Sequence, residues 1–141
     1  MKNIDWAYIA GFIDADGSVA IEQHSNANGT PRYAVKLYIT NADRDIMDWL
    51  VANLHGSVYL TNRNAPKHHK TMWRWVIQGK QAAPILRQVT PYLRVKKKRA
   101  ELALRFAATI TGGQRVSDEH KRLRHYLAQQ MSRMNSRGRP R

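Results

Sequence analysis

Apolar and polar side chains alternate without a break over Arg32–Thr40, with Tyr33, Val35, Leu37 and Ile39 on one side and Arg32, Ala34, Lys36 and Tyr38 on the other. A period of two is that of a half-buried strand. Ser18–His24 precedes it across the turn-forming run SNANGTP, so the two segments predict a hairpin. Ahead of them, Ile4–Ile13 repeats at helical spacing, and its two sides differ in bulk. Trp6, Ile9, Phe12 and Ile13 make a wide stripe suited to a core, whereas Ala7, Ala10, Gly11 and Asp14 make a narrow one. Small side chains let a second backbone approach closer than the ~8–10 Å usual for helices packed through large residues, which points to a helix partner on that side. Gly17 is expected to end this helix in a left-handed conformation.

The same order then recurs in different residues. Thr40 and Asp43 have the spacing of a capping box, and Ile46, Met47, Trp49, Leu50 and Leu54 supply the apolar face of a helix stopped at Gly56. Ser57–Asn62 reads as a strand, RNAPKHHK as a basic turn, and Thr71–Gln78 as a strand with Trp73, Trp75 and Ile77 opposite Met72, Arg74 and Val76. A helix over Gln81–Val89 carries Pro84 in its opening turns, and Pro91 breaks the chain. Lys96–Ile110 predicts a further helix with Ala100, Leu102, Ala103, Leu104 and Phe106 inward, followed by a hinge at Thr111, Gly112 and Gly113. Leu123, Leu127, Met131 and Met134 place an amphipathic helix over Asp118–Met134, before a mobile tail NSRGRPR.

These elements predict an α+β fold with an αββαββα core: a four-stranded antiparallel sheet, helices on one face, and a C-terminal helix. Residues 1–112 are expected to form the core domain, and residues 113–141 the last helix and basic tail. The uncovered sheet face would carry Glu22, His24, Arg32, Lys36 and Tyr38 from the first hairpin, with Thr61, Arg63 and Arg74 from the second. Strands in a major groove present alternate side chains to base edges, while flanking cations hold phosphates.

Charge sharpens the choice of partner. The chain has 141 residues, with 24 Lys and Arg against 10 Asp and Glu, and this net charge of +14 repels itself unless a polyanion is met. Nucleic acid is favoured over a membrane, because no apolar run approaches the roughly 20 residues of a spanning helix. No secretory signal is expected, and an intracellular location follows. The absence of cysteine excludes disulfides, thiolate nucleophiles and cysteine zinc sites.

Against this basic background, residues 9–19 read IAGFIDADGSV, with two aspartates at a helix C-terminus. Acids there face the negative end of the helix dipole, at about 0.3–1 kcal/mol each if exposed. Were the small-residue stripe to meet a copy of itself about a two-fold axis, four carboxylates would crowd one place. Magnesium would relieve that charge, since it takes one or two protein carboxylates and completes its shell with water and phosphate oxygens. Taken alone, a helix ending in Asp-Ala-Asp-Gly is most often a cap and turn. The spacing excludes a calcium loop, since glycine directly follows the second aspartate and no terminal glutamate arrives in register.

The string IAGFIDADG resembles the nine-residue signature of the LAGLIDADG homing endonucleases, agreeing at seven of nine positions. The order of elements resembles that of the single-motif members, and PYLRVKKKRAELAL at 91–104 is similar to their segment bearing a basic active-site residue. The resemblance implies a magnesium-dependent endonuclease that hydrolyses both strands of a long, near-palindromic DNA site, with manganese as a substitute and calcium as a non-catalytic one. It implies that Asp16 binds metal with help from the Gly17 carbonyl, that Asn41 positions water, and that Lys96 acts near the scissile phosphate. Lys97 and Lys98 would hold the DNA backbone, and Asp14 would act as a cap in the helix interface. One motif per chain and two strands to cut imply a homodimer joined through Ala7, Ala10, Gly11 and Asp14. An intron-RNA splicing maturase, or a regulator that binds DNA without cutting it, is the alternative on the same fold. The tail, with Asn135, Arg137 and Gly138, is similar to those of phage and bacterial members, so a phage or bacterial cytoplasm is expected ahead of an organelle.

Of the remaining features, His68 and His69 read as a polar loop tip, with no carboxylate or cysteine nearby in sequence to make a metal site. Arg133, Arg137, Arg139 and Arg141 are either a solubilising tail or a phosphate clamp.

Overall fold

The computed structural model describes residues 1–61, 66–110 and 116–136. Helix α1 (Asn3–Asp16) leads into strands β1 (Gly17–Ser25) and β2 (Pro31–Asn41), then helix α2 (Arg44–Leu54) and strands β3 (Ser57–Leu60) and β4 (Trp73–Gln78). Helices α3 (Ala82–Val89), α4 (Lys97–Ala108) and α5 (Asp118–Ser136) follow in the described residues. The four strands form one antiparallel sheet in the order β1-β2-β4-β3, so β2 and β4 are interior. This is the α+β, αββαββα arrangement with a C-terminal helix that the periodicity predicts. Arg63, the hinge at 111–113 and the cations at 137, 139 and 141 lie outside the described residues.

One sheet face is apolar and the helices cover it. Val19, Ile21, Val35, Leu37, Ile39, Trp75 and Ile77 point into a core shared with Ile9 and Ile13 of α1, Met47, Leu50 and Leu54 of α2, and Phe106 of α4. Helix α5 contributes Leu127, Ala128 and Met131 to that core, while Leu123 is exposed. Polar contacts fasten it to the sheet as well: Asn135 Nδ2 donates to the Val19 carbonyl at 3.0 Å, and Tyr33 shares a 2.5 Å hydrogen bond with His125 Nδ1. Among the described residues no helix is long and apolar enough to cross a membrane.

Local details differ from the sequence expectations for identifiable reasons. Asp43 caps α2 by itself, accepting from the Asp45 and Ile46 amides at 2.9 and 3.2 Å, and Thr40 is free for another role. The turn after α2 puts His55 at φ 63° and Gly56 at φ 86°, and the His55 carbonyl accepts from the buried Trp75 indole at 2.7 Å. At Gly56 a Cβ would fall 2.6 Å from the Val76 carbonyl oxygen.

Gly17 is not left-handed. Its φ of −105° and ψ of 176° are extended, and it is the first residue of β1. Glycine is required by proximity instead: a Cβ would lie 2.8 Å from Ile13 Cα and 3.0 Å from the carbonyl oxygens of Ile13 and Tyr38. All three are backbone atoms, so nothing yields cheaply. Gly17→Ala is expected to lower the urea midpoint by an amount equivalent to about 1–3 kcal/mol, the usual cost of overpacking. An unchanged midpoint would mean that α1 and β1 separate easily.

Candidate active site

The motif's two aspartates, two residues apart, have different partners. Asp14 faces inward to the segment that joins α3 to α4. Its Oδ2 accepts from the Arg94 amide at 2.8 Å and its Oδ1 from the Lys96 amide at 3.0 Å. Burial raises its pKa, but the amides of Arg94, Lys96 and Val95, with the charge of Lys96, outweigh that effect and hold it below the ordinary value. Asp14 is therefore a latch between α1 and the chain entering α4.

Lys96 completes the latch from the other side. Its Nζ donates to the Ile13 and Asp14 carbonyls at 2.8 and 3.0 Å, so the ammonium caps the negative end of α1. A side chain expected to reach a phosphate thus spends two of its three donors on the helix end, and one remains. Burial lowers the Lys96 pKa and Arg99 lowers it further, against the attraction of Asp14 and Asp16. A lysine shifted in that direction is a stronger proton donor than a solvated one.

Asp16 is exposed at the last residue of α1. Its Oδ2 accepts from Asn41 Nδ2 at 3.2 Å, and among the described residues Oδ1 accepts no hydrogen bond. Asn41, the last residue of β2, is itself oriented because its Oδ1 accepts from the Asp43 amide at 2.8 Å. The β1–β2 register pairs Gly17 with Ile39 and so brings the end of β2 alongside the end of α1. Asp16, Gly17, Asn41 and Lys96 consequently meet at one place. Arg44 is committed elsewhere, with Nε on Asp48 at 2.9 Å and its guanidinium 4.6 Å from the Trp73 ring centroid.

The free acceptor at this place is the Asp16 carboxylate, a hard oxygen donor of the kind that suits magnesium, manganese or calcium. Among the described residues no group of three or more His, Asp or Glu could enclose an ion.

The open sheet face lies beside this place. Strand register aligns His24 with Arg32 and Lys36 with Gln78, and puts Arg74 between Thr40 of β2 and Tyr59 of β3. Glu22, the acid among these cations, holds Lys36 Nζ at 3.0 Å and lies 3.7 Å from His24 Nε2. Tyr38 is flanked by Arg74 at 4.1 Å and Lys36 at 5.7 Å from its ring centroid, and Arg74 Nε donates to Thr40 Oγ1 at 3.0 Å. Thr61 donates its hydroxyl to the Met72 carbonyl at 3.1 Å. Lys97 and Lys98 are exposed at the start of α4. Sequence reasoning missed Thr40, whose same-face pairing with Arg74 is its only signal.

The faces of α1 also need revision. Ala10 is fully buried in the protomer's own core and is not on an outer surface, because helix rotation turns it inward with Ile9 and Ile13. The outward side carries Ile4, Tyr8, Gly11 and Ala15, with Ala7 and Asp14 half-covered beside it. Tyr8, which the pattern of bulk did not single out, is 51% exposed and makes edge contacts with Phe12 and Trp49.

No curated protein matches the chain in sequence. Among solved structures it is similar to the homing endonuclease I-CvuI in complex with its target in the presence of calcium, with a TM-score of 0.80 and 21% identity over 99% of this chain and 86% of that one. It is also similar to the archaeal intron-encoded homing endonuclease I-Vdi141I complexed with DNA, with a TM-score of 0.78 and 17% identity over 100% and 90% of the two chains. At such identities the likeness is one of fold. A sequence model of the LAGLIDADG endonucleases matches residues 9–108, from the first residue of the acidic motif to the end of α4. Asp14, Asp16, Gly17, Asn41 and Lys96 all fall inside that match, and the chain belongs to the LAGLIDADG endonuclease family.

Proposed function

We propose that this chain is a site-specific double-strand DNA endonuclease, acting as a homodimer with magnesium on a long, near-palindromic target. The observation that carries the reading is Asp16: an exposed carboxylate, steered by Asn41, in a protein of net charge +14 and next to an open face bearing Arg32, Lys36 and Arg74. An isolated acid at the rim of a cationic surface opposes polyanion binding by itself. Its place there makes sense if a divalent ion shields it from the phosphates. Bound magnesium would supply Lewis-acid polarisation of the scissile phosphate and a more acidic water, with manganese able to replace it and calcium supporting binding without turnover.

The chain's own groups would do the rest. Asp16 and the Gly17 carbonyl would hold the ion, and Asn41 would orient the attacking water through the amide that also steers Asp16. Lys96, fixed by the Ile13 and Asp14 carbonyls, keeps one N–H for the developing charge on phosphate or leaving oxygen. Glu22, His24, Arg32, Lys36, Tyr38, Thr61, Arg63 and Arg74 would face bases and sugar-phosphate, and Lys97 and Lys98 the flanking backbone. Two copies joined through Ala7, Gly11 and Asp14 of α1 would give one centre per strand.

The test is a plasmid library carrying long random inserts, incubated with the protein in magnesium or in EDTA. Linear product only with magnesium, with one near-palindromic class of insert at the ends, supports the proposal. Retention of DNA with no nick in either condition would replace it with the regulator or maturase reading.

A further inference from the structure

Among the described residues the outer sheet face carries three long cations, Arg32, Lys36 and Arg74, and Lys36 is already paired with Glu22. Arg74 differs. It lies on β4, an interior strand, and its side chain is half-covered. Its guanidinium carbon is 4.1 Å from the Tyr38 ring centroid, while Nε donates to Thr40 Oγ1 at 3.0 Å. Stacking and the Nε bond together restrict rotation of the planar group. Among the described residues neither Nη atom donates a hydrogen bond, so the donors at the end of the fork are unspent.

We propose that Arg74 is a specificity-determining residue that reads guanine through its two Nη groups, at one position in each half of the target. The inference rests on the endonuclease reading and adds a base to it. Guanine presents O6 and N7 side by side in the major groove, a pair of acceptors that matches a planar fork. A phosphate could also accept both donors, but it does not need the fork held in advance. Thr40, through the Nε bond, and Tyr38, through its ring, position Arg74.

The experiment selects duplexes bound by the wild-type protein from a fully randomised library with calcium in place of magnesium, and repeats the selection with Arg74→Lys and Thr40→Val. The wild type is expected to yield a symmetry-related pair of guanines. Arg74→Lys keeps the charge but not the fork, and should reduce the guanine preference at that pair by roughly 5- to 150-fold, leaving other positions unchanged. Thr40→Val should weaken the same pair by a smaller factor, with the same circular dichroism spectrum as the wild type. If Arg74→Lys lowers retention of all sequences equally and leaves the selected pattern intact, Arg74 holds phosphate and the proposal fails while the endonuclease reading stands. If the wild type selects no pattern at all, both fail.

Discussion

Asp16→Asn is expected to lose magnesium-dependent cleavage by about three or more powers of ten while DNA binding persists. The two side chains have the same shape, and the polar contact with Asn41 survives as an amide–amide hydrogen bond, so stability should move by less than about 0.5 kcal/mol. What disappears is the anionic oxygen pair. If divalent-ion catalysis supplies several kcal/mol at this place, each 1.36 kcal/mol lost is a factor of ten in rate. Binding should hold or improve, because a negative charge is removed from the edge of a basic surface. A gel-shift titration beside a plasmid-linearisation time course measures both quantities on one preparation. Cleavage at a near-wild-type rate would show that Asp16 does not hold the ion, and loss of the folded-state spectrum would make the carboxylate structural.

Asp14→Ala should behave in the opposite way, with a loss of about 3 kcal/mol in urea unfolding. Two backbone amides, of Arg94 and Lys96, lose a charged acceptor, and bonds of that type contribute about 1.5–3 kcal/mol each before relaxation. The Asp14 pKa is depressed in the folded protein, so its contribution is complete above the unfolded value near pH 4 and is lost as pH falls through the folded value. The difference in stability between wild type and Asp14→Ala should therefore shrink on acidification below about pH 4 and stay constant from about pH 5 to 8. Cleavage should fall as well, since the segment that fixes the Lys96 backbone is released. A variant as stable as wild type would remove Asp14 from its role as latch.

The contrast shows which features the chain discloses before folding. Strand alternation over 32–40 and the paired Gly and Pro breaks disclose the sheet and helix order, because period and turn chemistry are local. Trp75 and Ile77 reveal the inward face of β4 by the same rule. The division of labour between Asp14 and Asp16 is not local: it depends on Arg94 and Lys96, about 80 residues further along, arriving at the end of α1. The burial of Ala10 was hidden for a related reason, since small residues suit both a tight core and a close helix pair. The coupling of Thr40, Arg74 and Tyr38 emerges only once β2 and β4 are in register.

The pairing of one motif acid with backbone amides of its own protomer has a bearing on assembly. In the proposed dimer the axis would gather two uncompensated negative groups in place of four, so subunits need not wait for ion or substrate to associate. Sedimentation in EDTA and dilute buffer should find the pair already formed, with only a shallow dependence on ionic strength.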